Sequence, residues 1–263
     1  MWRRSAVNSA CGKDNILIND WERIDDLQYK GLRIIQDTRS FCFGVDAVLL
    51  ANFATVRKGD TVLDMGTGTG VIPLLIAGKT EAAKIIGLEI QPHLAEIAGR
   101  SVALNNLEDR VSIIEGDLQD GVSLFGASVF DVITCNPPYT QPKGGLINPN
   151  DSKAISRHEI KCTLEDVIRI ASKLLKVGGK LAMVHRPERL VDIIWLMRYY
   201  KLEPKRLRFV HPSPGKKPNL ILIEGVRGGN PQLNMLEPLY VYNDKGEYSE
   251  EINTIYCREK KDG

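Results

Sequence analysis

Apolar positions along the chain gather into short runs that alternate with helical stripes. Thr61–Met65, Lys84–Glu89, Val111–Glu115, Asp131–Cys135 and Lys180–His185 are runs of strand length. Between them Val71–Ala77, Pro92–Asn105 and Leu164–Leu175 carry helical patterning, with Pro92 suited to a first helical turn and Gly178-Gly179 expected to stop the last helix. Parallel strands need a crossover element and a cover on both faces, so strands that alternate with helices predict a doubly wound α/β fold with a mostly parallel sheet.

Both ends depart from this alternation. Arg23–Gln28 and Leu32–Gln36, separated by Tyr29-Lys30-Gly31, predict a hairpin lead-in, and Val45, Val48, Leu49 and Phe53 make a helical face that ends at Arg57-Lys58-Gly59. Towards the other end, Leu207–Val210 and Leu220–Val226 are joined only by His211–Pro218, too short for a helical crossover, so the last strand should run antiparallel. Beyond Gly228-Gly229-Asn230-Pro231 the chain is polar and is expected to be loosely held. This divides the chain into an extension with the hairpin lead-in (1–30), a main domain (31–229) and a tail (230–263).

Composition changes the picture little. At 263 residues, 43% hydrophobic and 26% charged, the chain is long enough for one large domain with a full core and is not of disordered type. No apolar run reaches bilayer length and no apolar h-region follows the basic start, so no membrane segment is expected and a cytoplasmic setting is. Five scattered cysteines without C-x-x-C spacing imply free thiols, with no disulfide framework and no metal site. The oligomeric state is left open, a monomer being compatible with the sequence. A formal net charge of +2 does not mark a nucleic-acid binder, but Arg198, Lys201, Lys205, Arg206, Arg208, Lys216 and Lys217 are opposed within their stretch only by Glu203.

Two motifs carry chemistry. Asp64-Met65-Gly66-Thr67-Gly68-Thr69-Gly70 joins a strand to a helix, and its glycines let backbone amides approach a ligand that side chains would exclude. The carboxylate of Asp64 repels a pyrophosphate but favours the sulfonium and ammonium of S-adenosylmethionine, which makes Asp64, Gly66, Thr67, Gly68 and Gly70 candidates for that cofactor. Glu89, ending the next strand, suits ribose hydroxyls, and Asp117 after the third suits either the adenine amino group or a helix cap. Ile90 and Leu118, which follow these acids, complete that set.

The second motif, Asn136-Pro137-Pro138-Tyr139, follows another strand. A conjugated NH2 is a poor nucleophile, and no side-chain base usefully deprotonates it. The Asn136 side-chain oxygen and the Pro137 carbonyl can each accept one amino hydrogen and turn the lone pair towards the methyl donor, while Pro138 stiffens the loop and Tyr139 stacks on a flipped base. Cys135 next to the motif raises cytosine-C5 methylation through a thiolate, a chemistry in which this loop has no role. His185 reads as a structural histidine, since the chemistry asks for no base.

The Asn136–Tyr139 tetrapeptide matches the N-P-P-[YFW] signature of class I methyltransferases acting on adenine N6, exocyclic guanine or glutamine N5. With Glu22–Gln28, Phe41–Ala51, Ser156-Arg157-His158-Glu159 and Lys217-Pro218-Asn219-Leu220, the chain resembles bacterial tRNA1(Val) adenine-37 N6-methyltransferases from about Glu22 to Gly229. The resemblance implies a seven-stranded sheet with an antiparallel last strand, a tRNA substrate, and closure of Phe43-Gly44-Val45-Asp46 over the methionine end of the cofactor, with Asn136 touching it; Phe43, Gly44 and Asp46 therefore join the cofactor set. Arg157 and His158, after the Gly-, Pro- and Asn-rich stretch from Gln141 to Ser152, are expected either to touch RNA or to order a lid. The basic stretch, with Arg206, Arg208, Lys216 and Lys217, is expected to meet tRNA phosphates. Glutamine-N5 methylation of a release factor is the alternative, although that family carries a helical domain where this chain reads as a hairpin and one helix. A catalytically dead RNA-binding protein would show a damaged motif, and none is visible.

Overall fold

The computed structural model describes residues 18–39, 42–137 and 162–257. The chain opens with an antiparallel hairpin, β1 (Glu22–Asp26) and β2 (Arg33–Asp37), in which Ile24 faces Ile35. The boundary expected at residue 30 falls inside this hairpin. The free edge of β2 is held by α3 (Pro92–Leu104) and its C-cap: Ile35 N donates to Ser101 Oγ at 3.0 Å and Arg33 N to Asn105 Oδ1 at 2.9 Å. Arg100 reaches back from α3 to the buried Glu22 with contacts of 2.6 and 2.9 Å.

After α1 (Val45–Phe53) come β3 (Thr61–Met65), α2 (Val71–Lys79), β4 (Lys84–Glu89), α3, β5 (Val111–Glu115), a 3-10 turn at Leu118–Asp120, α4 (Gly121–Phe125) and β6 (Phe130–Cys135). Then follow α5 (Leu164–Leu174), β7 (Leu175–His185), α6 (Leu190–Tyr199), β8 (Leu202–His211) and β9 (Leu220–Arg227). A capping box between Thr163 and Asp166 sets the start of α5. The sheet order is β5-β4-β3-β6-β7-β9-β8, all parallel except β9, which is antiparallel to both neighbours. These are the seven expected strands, and two-residue strands β10 (Asn234–Met235) and β11 (Leu239–Tyr240) extend the edge on β8.

Side chains alternate across the sheet with period two. Val62, Val132, Ala182, Val184, Leu220 and Leu222 pack on the face covered by α1 and α2, while Leu63, Ile133, Leu181, Met183, Ile221 and Ile223 pack against α5 and α6 on the other. Both faces are dry, which is why the strands read as continuous apolar runs.

Three expectations need correcting, and one helix, α6, carries no expectation from the sequence. Gly178-Gly179 do not separate a helix from a strand; β7 starts at Leu175 and runs through them, with a register irregularity opposite Phe130–Val132. Helix α6 has no clear stripe in the sequence because it is apolar on both sides: Ile193, Leu196 and Met197 are buried, whereas Val191, Trp195 and Tyr199 face solvent. Strand β8 begins five residues before the apolar run, hidden by Pro204 and its basic neighbours at a bulge. The tail is not loosely held. Leu239, Val241, Ile252 and Ile255 are buried, the last two on α7 (Glu250–Ile255), and β10 and β11 pair with β8.

Candidate active site

Parallel strands point their carboxyl ends to one sheet edge, and the candidate residues converge there. Met65 and Cys135 are register partners on β3 and β6, so Gly66 and Asn136 leave the sheet on adjacent strands, which lie about 4.8 Å apart. Gly66, Gly68 and Gly70 all have left-handed backbone, with φ of 74°, 58° and 90°. A Cβ added at Gly66 or Gly68 would meet nothing within 4 Å, so the space above these two residues is open. At Gly70 it would lie 3.3 Å from the Ala98 Cβ, so this glycine serves the packing of α2 on α3 instead.

Asp64 is fully buried. Its Oδ1 accepts from the Thr134 hydroxyl at 2.7 Å, and its Oδ2 has no hydrogen-bond partner among the described residues. Burial pushes the carboxyl up to about 6 against the opposing effects of the Thr134 and Thr67 hydroxyls. The Thr67 hydroxyl is likewise buried; it lies near Asp64 but meets no partner in full hydrogen-bond geometry among the described residues. Glu89 accepts from Gly68 N at 2.8 Å with one oxygen and from Gln91 N at 2.9 Å with the other, so it braces the loop and keeps a second lone pair on each oxygen for ribose hydroxyls.

Asp117 makes the helix-cap contact the sequence allowed and also borders a cleft. It caps the 3-10 turn by accepting from Gln119 N at 2.9 Å, and it lines a cleft with Gly66, Ile90 and Leu118. Leu88, Gly116 and Cys162 complete that lining and carry no motif that marks them in the sequence. Thr134, two residues before Asn136, was also missed, although its place on a strand beside Asp64 follows from the parallel order. Phe43 N donates to Gln36, which also holds Thr69, so the Phe43–Asp46 segment is tied to the glycine loop. Gly44 is the N-cap of α1, and a Cβ there would come within 2.7 Å of Asp46 Oδ1.

Asn136 and Pro137 are half-buried at the mouth of this site, whereas Pro138, Tyr139, Arg157, His158 and the Gln141–Ser152 stretch lie outside the described residues. The Cys135 thiol is buried and its pKa pushed well up, by burial first and the charge of Asp64 second, which disfavours a thiolate nucleophile. His185 is buried and accepts from Arg186 N through Nδ1; burial, helped by Arg189, lowers its pKa to about 4 and keeps it neutral. Among the described residues no group of three or more His, Cys, Asp and Glu could hold a metal ion, and no helix is long and apolar enough to cross a membrane.

The basic stretch divides. Arg206 donates to Phe53 O, Thr55 Oγ1 and the buried Glu224, and lies over the Phe53 ring. Arg208 makes a bidentate pair with Glu251 on α7 and donates to Glu237 O. Both guanidiniums are therefore engaged by groups of this chain, at partly exposed positions. Lys216 and Lys217 are exposed in the β8–β9 loop. Because β8 runs parallel to β6, that loop is on the same sheet edge as Asn136.

With this geometry in place, comparison with known proteins is informative. Residues 43–193 match the model of the methyltransferase small domain. The tRNA1(Val) (adenine(37)-N6)-methyltransferase of Porphyromonas gingivalis is 36% identical over 206 residues, which cover 76% of this chain and 80% of that one. The chain belongs to this methyltransferase family. The Bacteroides thetaiotaomicron protein of the same description is 28% identical over 88% of this chain and 90% of its own. Among solved structures, a predicted O-methyltransferase from Agrobacterium tumefaciens superposes with a TM-score of 0.67 at 22% identity, covering 81% of this chain and 96% of its own, and shows the shared fold.

A methyltransferase of this family needs S-adenosylmethionine, and the residues present fit it. The orphaned carboxylate oxygen of Asp64 answers to a cation, the open left-handed glycines leave room for a ligand against backbone amides, and the second lone pairs of Glu89 answer to hydroxyls.

Proposed function

We propose that the protein transfers the methyl group of S-adenosylmethionine to the exocyclic N6 of an adenine in tRNA, at the position named for its relatives, adenine 37 of tRNA1(Val). The observation that carries this reading is the register of Met65 with Cys135, by which the glycine loop and the Asn136-Pro137 turn emerge side by side. When bound, the cofactor supplies an electrophilic methyl on a sulfonium. Asp64 and the glycine loop hold its methionine end together with Phe43–Asp46, Glu89 holds the ribose, and Asp117 with Ile90 and Leu118 borders the adenine.

Asn136 Oδ1 and the Pro137 carbonyl each accept a hydrogen of the substrate amine and orient its lone pair for in-line attack, with Pro138 and Tyr139 completing the turn. No residue removes a proton beforehand; the methylated amine, positively charged once its bond to the methyl has formed and the sulfonium bond has broken, gives its extra proton to water. Lys216 and Lys217, on the edge that carries Asn136, meet tRNA phosphates in this reading, and Arg157 and His158 remain candidates for the same task. Arg206 and Arg208 hold the edge strand and the tail. The hairpin from Glu22 and the tail docked on β8 belong with residues 31–229 to the catalytic domain, and action on tRNA implies a cytoplasmic setting.

The turn accepts any conjugated NH2, so the choice of tRNA over a glutamine is supported by the relatives. Labelled S-adenosylmethionine incubated with tRNA from cells lacking the protein, followed by nucleoside mass spectrometry, should yield N6-methyladenosine. Transfer to a release factor and none to tRNA would refute the proposal.

A further inference from the structure

Gln36 lies on β2, outside the glycine loop and the Asn136 turn, and is 1% exposed. Its amide is used in both senses. Nε2 donates to the Thr69 hydroxyl at 2.7 Å and more weakly to Ile35 O at 3.4 Å, while Oε1 accepts from Phe43 N at 3.2 Å. One neutral side chain thus joins three segments of the chain: the lead-in hairpin, the loop between Gly68 and Gly70 through the Thr69 hydroxyl, and the segment that opens α1. A carboxylate in its place would add charge and lose the donor, and a hydrocarbon would drop both bonds, whereas the amide donates to one partner and accepts from the other. The strand that carries it is itself fixed, since β2 is hydrogen-bonded to Ser101 and Asn105 of the α3 region.

We propose that Gln36 is a positioning residue for the cofactor site, coupling the lead-in hairpin to both walls that hold S-adenosylmethionine. The proposal rests on the assignment of the glycine loop and Phe43–Asp46 to that cofactor. Thr69 sits between two residues with left-handed backbone, so a hydrogen bond to its side chain limits how the loop can relax. The bond to Phe43 N sets how closely the opposite wall approaches. Loss of either bond should weaken cofactor binding and leave the Asn136 turn untouched.

The test is a KM-against-kcat comparison for S-adenosylmethionine with tRNA saturating, together with direct calorimetric binding of the cofactor to the full chain. Gln36→Met keeps the length and removes both bonds, Thr69→Val removes one acceptor at equal size, and Thr69→Ser retains it. For Gln36→Met and Thr69→Val, KM and Kd should rise about tenfold or more while kcat at saturating cofactor stays within about twofold of wild type. Thr69→Ser should match wild type, and the double variant should lose less than the product of the two single losses.

A merely structural Gln36 would lower the melting temperature without moving KM, and that result overturns the proposal, as does independence of the two substitutions. If Gln36→Met does not fold, the contrast between Thr69→Val and Thr69→Ser decides, and equal KM values overturn it. A wild-type protein that binds no S-adenosylmethionine overturns the function and the role of Gln36 together. Binding that is intact in wild type and unchanged in the variants overturns only the latter.

Discussion

Replacing Asp64 by Asn removes a carboxylate that the folded protein holds at a cost. Its pKa rises from 3.8 to about 6 on folding, chiefly through burial. A raised folded pKa means that the native state binds the proton more tightly than the unfolded chain, so stability is greatest at low pH and falls as pH rises from the unfolded value through the folded one. At 1.36 kcal/mol per unit, the penalty is about 3 kcal/mol at pH 8 and about half of that at pH 5. In Asp64→Asn the amide oxygen can still accept from Thr134, while the NH2 brings an unpartnered donor whose cost of about 1–3 kcal/mol does not depend on pH. The stability difference between variant and wild type, measured by urea unfolding of the cofactor-free protein, should therefore shift by about 1.4 kcal/mol in favour of the variant between pH 5 and pH 8. His185 titrates in the same window but is common to both proteins and cancels. Binding of S-adenosylmethionine should weaken about tenfold or more, because the variant no longer offers a charge to the sulfonium and ammonium. A stability difference that stays flat with pH, or shifts the other way, would refute the reasoning.

Other substitutions separate the roles assigned to the remaining groups. Asn136→Ala should abolish methyl transfer to tRNA while leaving cofactor affinity within about threefold by calorimetry, since the side chain acts on the substrate amine. Arg206→Ala should cost about 1.5–3 kcal/mol in urea melts, because it removes the charged partner of the buried Glu224 carboxylate, which keeps its bonds from Thr55 N and Oγ1; a loss below about 0.5 kcal/mol would reject that account. Charge reversal at Lys216 and Lys217 should weaken tRNA binding and flatten its salt dependence, seen in filter binding across a salt series, without changing stability. His185, with its pKa lowered to about 4, stabilises the fold fully above its unfolded value of 6.5 and loses that contribution as pH falls from 6.5 through 4; His185→Phe should flatten this acid limb in melts across that range.

Local chemistry made much of the molecule legible. The glycine loop declares itself because left-handed backbone at 66, 68 and 70 can be read from glycine alone, and the antiparallel β9 follows from a connection too short to cross over. Asp64, Glu89 and Asp117 could be placed at strand ends because strand length is a local property. Elements failed where burial, rather than sequence order, sets the pattern. Helix α6 exposes Trp195 and Tyr199 and so carries no clear stripe, and the bulge at Pro204 conceals half of β8.

The sequence by itself determined the doubly wound class, the glycine loop and the presence of the Asn136-Pro137-Pro138-Tyr139 motif, since each is written in residues that are neighbours along the chain. Only the tertiary structure decided what distant groups do for one another. Arg206 pairs with Glu224, 18 residues away, and Arg208 with Glu251, 43 residues away, so charges that look free in the sequence are paired in the fold. The tail is polar along the chain yet docks on β8 through a few buried side chains. Gln36 looks like any strand glutamine until the fold brings Thr69, 33 residues on, within hydrogen-bond reach. Pairings of this kind form only when a long stretch of chain is closed by packing elsewhere, and that closure has no local signature.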